Sequence, residues 1–273
     1  MLFVSAMSMH CGDDRGVTDD PAPVPVQLDF AFRVNGEDFS CGTEYQDVGD
    51  PPAAFSSTDA RLYLSGIELV DDNGNARTIA LDTGPFQNDG VALLDFEDGC
   101  GSDGTPETNS VVKGTIVPGS YTKVRFTLGL PDEKNFIDLT KAKAPLDVTG
   151  MFWTWQYGYK FLKLDGSSPA EDGPSSFFIH LGASGCPGDN PQQAPSGACE
   201  SPNRIRYELS DFTPGQHTIV AELANVLATS DLSFNTDGTA PGCMSESDDP
   251  ECQAILPLMG IDDPKEQVLF VVE

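Results

Sequence analysis

The sequence predicts an all-β protein: an antiparallel β-sandwich with long disulfide-stapled loops and one or two short helices. Runs in which apolar and polar residues alternate with period two recur along the 273 residues, the pattern of half-buried strands. Gly (27) and Pro (21) are abundant, and with Asn and Asp they punctuate those runs as turns do. Helical spacing of apolar residues is confined to residues 220–227, VAELANVL. Many short strands with almost no long helix argue for a sandwich rather than a bundle or an alternating α/β chain.

The first strand is Val26-Gln27-Leu28-Asp29-Phe30-Ala31-Phe32, followed by Asn35-Gly36, a dipeptide suited to the positive φ angles of a tight hairpin. Residues 61–70 form a second strand, and Asp71-Asp72-Asn73-Gly74 turns it into 76–81. Residues 91–96 read as a buried strand. Residues 111–117 and 121–128 read as a hairpin across Pro118-Gly119-Ser120. Later strands are expected at 152–164, 176–181, 204–209 and 268–272, with the one helix at 220–227. The chain thus divides into a leader over 1–11, a Pro-rich acidic tether over 12–25 and a single β-domain over 26–273, without an internal repeat.

Fifteen Lys and Arg stand against 43 Asp and Glu, a net charge of −28. A field of that sign repels phosphate backbones and anionic lipid, which excludes nucleic-acid binding through a basic patch; it attracts cations. Cys41, Cys100, Cys186, Cys199, Cys243 and Cys252 lie in loop-like surroundings, and none forms a C-x-x-C pair. Their pairing is open among several connectivities; sequence proximity favours Cys186–Cys199 and Cys243–Cys252, leaving Cys41–Cys100. Such cysteine usage belongs to an oxidising compartment. Cys11 differs. It ends MLFVSAMSMHC, an apolar run with small residues that reads as a partial signal segment, and the polar tether follows. That order suits a bacterial lipoprotein with Cys11 as the lipidated residue, in the periplasm or on the outer membrane. No stretch of 18 apolar residues is present, so no transmembrane helix is expected.

No G-x-S-x-G, H-E-x-x-H or phosphate-binding Gly loop occurs, and nothing marks a catalytic nucleophile. The aromatic block is the distinctive feature: residues 151–166, MFWTWQYGYKFLKLDG, hold both tryptophans of the chain. On an unbroken strand Met151, Trp153, Trp155, Tyr157, Tyr159 and Phe161 share one face. By composition that face is core; placed near the surface it is a redox-active or ligand-binding face. His180 ends a strand in FFIHLG, and His217 follows the turn Pro214-Gly215-Gln216. Histidine and methionine are natural copper ligands in an oxidising compartment. The acidic loop over 95–103 carries Asp95, Glu97, Asp98 and Asp103. It reads as a solvated turn, with Ca²⁺ binding through its oxygens as the alternative.

MFWTWQYGYKFLKLDG, together with RLYLSGIELVDDNG, VALLDFEDG, VRFTLGLP, FFIHLGASGC and TAPGCMSESDDPEC, resembles the MbnP-like proteins, also called metallo-mystery-pair four-Cys proteins. The motifs stand in the same order over most of the chain. The resemblance implies an exported copper-binding β-domain that is not itself an enzyme. It also implies a partner, a MauG-like (MbnH-like) dihaem cytochrome c peroxidase, which oxidises the first Trp of W-x-W to kynurenine. That residue here is Trp153, with Trp155 as a redox relay. Kynurenine carries an aryl amine, a metal-binding handle that Trp lacks. His180 is the first candidate to complete the copper site, with Met151 and His217 as further candidates. Where the resemblance implies a Leu-Asn-His segment, this chain has Lys134-Asn135-Phe136. Phe136 offers no ligand. The competing reading from the residues alone is a glycan-binding or adhesion sandwich, Ca²⁺-dependent or using its aromatic face.

Overall fold

The computed structural model describes residues 21–101 and 103–273; the proposed lipidation site Cys11 and most of the tether lie outside them. The first half of the chain gives β1 (Val24–Val34), β2 (Glu37–Asp38), β3 (Glu44–Val48), β4 (Ala53–Asp71), β5 (Ala76–Thr78), β6 (Ala80–Leu81), β7 (Gln87–Asn88), β8 (Val91–Asp95), β9 (Val111–Ile116), β10 (Tyr121–Leu128) and α1 (Asp132–Asn135). Then follow β11 (Phe152–Thr154), β12 (Gly158–Ala170), β13 (Gly173–Gly182), β14 (Ile205–Ser210), β15 (Thr218–Glu222), α2 (Leu223–Leu227), β16 (Gly242–Cys243), α3 (Pro250–Met259) and β17 (Phe270–Val272).

The strands form the expected sandwich. The smaller sheet has the order β17-β15-β1-β9-β6, with β2 on β1. The larger runs β14-β10-β4-β12-β13-β16, and the 19-residue β4 also carries β3, β5 and β8. Most pairings are antiparallel; β1 with β15 and β13 with β16 are parallel. Alternation along β1 buries Leu28, Phe30, Phe32 and Val34. Between the sheets Phe30 meets Phe126 edge-on at 6.1 Å, and Phe270 meets both Phe126 and Tyr207 at 5.0 and 4.8 Å. Each such aromatic pair contributes about 0.5–1.5 kcal/mol beyond its area burial.

Three disulfides join Cys41 to Cys100, Cys186 to Cys199 and Cys243 to Cys252, the pairing that sequence proximity favours. The longest loop they close spans 59 residues. Cross-linking so distant a pair removes the most freedom from the unfolded chain.

Several local expectations change. Residues 111–117 and 121–128 are not a hairpin: β9 pairs with β1 and β6, β10 with β4 and β14. The Pro118-Gly119-Ser120 bend carries the chain from one sheet to the other. Residues 76–81 likewise split at the buried Ile79, β5 staying on β4 while β6 joins β9. The 220–227 segment is a strand to Glu222 and helical only from Leu223. The longest helix, α3, was not expected, although its ends are marked. The Asp249 side chain accepts from Glu251 N, Pro250 opens the first turn, and Gly260 closes the helix at φ +91°. Those are the signals of an N-cap, an N1 proline and a left-handed C-terminal glycine.

The largest correction concerns the aromatic block. Residues 152–164 are not one strand. β11 ends at Thr154, the chain turns through Trp155-Gln156-Tyr157, and β12 returns antiparallel with Phe152 opposite Tyr159. The aromatics therefore do not share a face. Gly158 makes the reversal possible. Its φ is +74°, and a Cβ there would lie 2.4 Å from Asn135 Oδ1. That same oxygen accepts the Tyr159 N–H at 2.8 Å, so α1 pins the start of β12. Gly158→Ala should destabilise the protein by about 1–3 kcal/mol, by strain at positive φ and by displacing the buried Asn135. Urea unfolding measures this, and an unchanged midpoint would remove the account of the turn.

Candidate functional site

Three adjacent strands of the large sheet build the site. Register sets Arg61 and Asp59 of β4 opposite Lys163 and Asp165 of β12, and these opposite His180 and Phe178 of β13. Residues two apart on a strand share a face. One face thus carries Asp59, Arg61, Lys163, Asp165, Phe178 and His180, while Leu62, Leu164 and Ile179 point the other way into the core.

The charged groups pair across this face. Arg61 Nε donates to Asp59 Oδ1 at 2.9 Å. Lys163 Nζ donates to Asp59 Oδ2 at 2.7 Å and to both Asp103 oxygens at 3.0 Å, and lies 3.2 Å from Asp165 Oδ2. Arg61, Asp59 and Lys163 are almost wholly buried. Beyond a β-bulge between Lys160 and Leu162, Lys160 Nζ donates to Gly150 O at 2.9 Å. Burial alone would lower the Lys163 ammonium; Asp59, Asp165 and Asp103 outweigh it and hold Lys163 above its ordinary value.

The ribbon ends at His180, whose Nε2 lies 2.5 Å from Asp165 Oδ1. Burial works against the Asp165 charge, yet His180 and Lys163 hold this carboxyl below the usual carboxylate range. An ionised carboxylate only accepts hydrogen bonds, so Nε2 is the donor. Burial also pulls the imidazole below its ordinary pKa, against the opposing pull of Asp165. With Nε2 as the donor, the neutral form of this ring carries its lone pair on Nδ1, and among the described residues Nδ1 has no hydrogen-bond partner. Phe178 stacks on the ring at 5.6 Å, with planes within 8°.

Trp153 comes to this ring. Its centroid is 6.5 Å from that of His180, and its six-membered ring presses on Gly182, where a Cβ would lie 2.4 Å from Cζ3. Trp153 is half-buried and lines an open cavity of about 340 Å³ with Tyr157, Ser184, Met244 and Glu246. The hairpin thus unites the two residues that the sequence singles out, Trp153 and His180. The other candidates lie apart from them. Met151 is fully buried in the apolar core, because residues 149–151 form a 3-10 turn instead of extending the strand. His217 leads into β15 of the smaller sheet, and its Nδ1 accepts from Thr213 N at 2.9 Å. Trp155 sits in the turn, its Nε1–H donating to Phe136 O at 2.9 Å. Sequence reasoning missed Asp165 and Met244. The alternation Lys163-Leu164-Asp165 was a signal for the first, and a methionine directly after Cys243 for the second.

The acidic loop is solvated only in part: Asp98 and Asp103 are exposed. Asp95 and Glu97 are buried. Glu97 accepts from Gly99 N at 2.8 Å and from Thr105 N, with Arg61 Nη1 at 3.8 Å. The Asp59, Asp103 and Asp165 oxygens converge as if around a cation, but Lys163 and Arg61 already occupy that role. Cys41 and Cys100, near Glu97, are tied in their disulfide.

Burial pushes Asp95 up to about 7; Arg61 opposes this, and Glu97 and Asp59 reinforce it. An unfolded aspartate titrates near ~3.9. Between those values the folded state binds the extra proton, so this group's contribution to stability is present at low pH and falls as pH rises through 7. At about 1.4 kcal/mol per pKa unit the loss amounts to a few kcal/mol. Asp95→Asn should therefore gain melting temperature relative to the parent as pH is raised from about 4 to 7, the window between those two pKa values. Parallel thermal-melt curves for the two proteins would refute this.

The MbnP family model matches residues 23–245. Among solved structures, MbnP from Methylosinus trichosporium is similar, with a TM-score of 0.79 and 31 % identity over 92 % of this chain and 98 % of that one. No curated protein sequence matches. With the family model spanning most of the described chain, and with a solved member sharing its fold at 31 % identity, the chain belongs to the MbnP family.

Proposed function

We propose that this chain is an exported copper-binding protein, not an enzyme, whose Trp153 is oxidised to kynurenine by a MauG-like dihaem peroxidase partner. The observation that carries the reading is the Trp153–His180 pair. The tryptophan stands at a cavity, 6.5 Å from an imidazole whose Nε2 is held by Asp165 and whose Nδ1 is unpartnered. A carboxylate on one imidazole nitrogen is the usual support for a histidine that ligates through the other. The donor set suits copper: Asp59 and Asp165 are engaged by Arg61, Lys163 and His180, which leaves the His180 nitrogen as the donor beside Trp153 for a borderline or soft ion. Opening the indole ring would add an aryl amine at residue 153.

Export accords with the three disulfides. Cys11 is the proposed lipid anchor, placing the protein in the periplasm or on the outer membrane. No helix among the described residues is long and apolar enough to cross a membrane.

Production together with a dihaem peroxidase should raise the intact mass by about 4 Da, one oxygen gained and one carbon lost, with the change mapped to Trp153. Unaltered Trp153 in the presence of active partner would end the modification reading. Copper affinity should collapse in His180→Ala and fall about 10–100-fold in Asp165→Asn, which keeps the shape but lets an amide donate to Nε2. Competition with a chromophoric chelator measures both, and parental affinity in His180→Ala would remove that ligand.

A further inference from the structure

Strand β16 is two residues long and runs parallel to β13, with Phe178 opposite Gly242 and Ile179 opposite Cys243. Met244 is the first residue beyond this strand, and Ser245 after it is hydrogen-bonded to the His180 carbonyl. The segment is firmly held. Gly242 has φ +68°, and a Cβ on it would lie 2.2 Å from Phe178 O. Cys243 is tied to Cys252 of α3. Ser245 donates its hydroxyl to His180 O at 2.6 Å and accepts the Gly182 N–H at 2.7 Å, while its carbonyl accepts from Asn203 Nδ2 at 3.1 Å. Met244 is thus fixed on both sides, yet its own side chain is only half-buried and lines the cavity with Trp153. Among the described residues it is the only methionine outside the core, since Met151 and Met259 are fully buried.

We propose that the Met244 thioether is a copper ligand, acting with His180 Nδ1 to hold Cu(I) against residue 153. This rests on the copper reading above and names a ligand for its site. Two separate placements support it: Met244 directly follows Cys243, which pairs with Ile179 next to His180, and it shares a cavity with Trp153. A thioether is a soft donor that selects Cu(I) over Zn²⁺ or Ca²⁺. It supplies a second donor where Phe136 offers none.

The test compares Cu(I) affinity in the parent, Met244→Leu and His180→Ala, at matched oxidation state of Trp153. Leu conserves volume and removes the sulfur. Met244→Leu should weaken Cu(I) binding by about tenfold or more while leaving the melting temperature unchanged. In selenomethionine-labelled protein, copper X-ray absorption should show a Cu–Se scattering path that Met244→Leu abolishes. Parental affinity in Met244→Leu with no Cu–Se path, while His180→Ala still loses copper, overturns the Met244 assignment and leaves the copper reading intact. A parent protein that takes up no Cu(I) in either Trp153 state overturns both. The scattering measurement is made on the parent fold, so it decides the matter even if the leucine variant misfolds.

Discussion

The Lys163–Asp59 ion pair, 2.7 Å long and almost wholly buried, is the constraint on which the functional face depends. Lys163 ties the middle strand of the face to β4 through Asp59, to the covering loop through Asp103 and to the rim through Asp165. Removing one partner of such a network strands an uncompensated charge in a dry interior, at a cost of about 3–5 kcal/mol. Replacing the whole set with apolar residues could be neutral for stability. What apolar packing would not supply is direction. Asp165 has one oxygen toward Lys163 and the other on His180, so the network sets both the rotamer and the tautomer of the ring at its end. Stability and site geometry draw here on the same atoms.

The aromatic hairpin is the second half of the construction. β11 is short, and its partner begins at a glycine that tolerates positive φ. Asn135 fixes that corner through Tyr159 N. Gly182 then lets an indole ring lie on the backbone of β13, where any side chain would collide. Two glycines and one buried amide therefore decide that Trp153 faces His180, while Trp155 turns toward the carbonyl of Phe136.

The layers of the fold were legible because alternation and turn residues act locally. β1, β8 and β10 follow from their own residues, and Asn35-Gly36 sits at positive φ as its chemistry requires. Sheet membership was not legible. Nothing within residues 111–128 says that β9 and β10 belong to different sheets, because pairing partners lie far along the chain. The break in the aromatic strand was marked by Gly158 but overridden by the length of the aromatic run. Trp153 and His180 stood out by type and motif, and the disulfide pairing by proximity. Arg61, Lys163 and Asp165 did not, since charged residues in alternation look like a solvated face until a loop is seen to cover them. Met244 escaped notice because one methionine beside a cysteine carries no periodicity.

The net charge of −28 and the chemistry of the site act at different ranges. The field of the whole molecule draws in cations of every kind and fades over about 8 Å at physiological salt, so it confers encounter rather than choice. Choice is made by the atoms at the cavity. A surface so rich in carboxylates would ordinarily offer hard oxygen donors, which favour Ca²⁺ or Mg²⁺. Here Asp59 and Asp165, the carboxylates beside His180, are drawn inward onto Arg61, Lys163 and the imidazole itself. Pairing these two acids internally takes their oxygens out of competition for the site, while Glu246 stays on the cavity wall. An acidic protein thereby presents an indole and a thioether at one cavity, next to an imidazole held by Asp165, and on the proposed copper reading the pairs that orient His180 would favour a soft ion there.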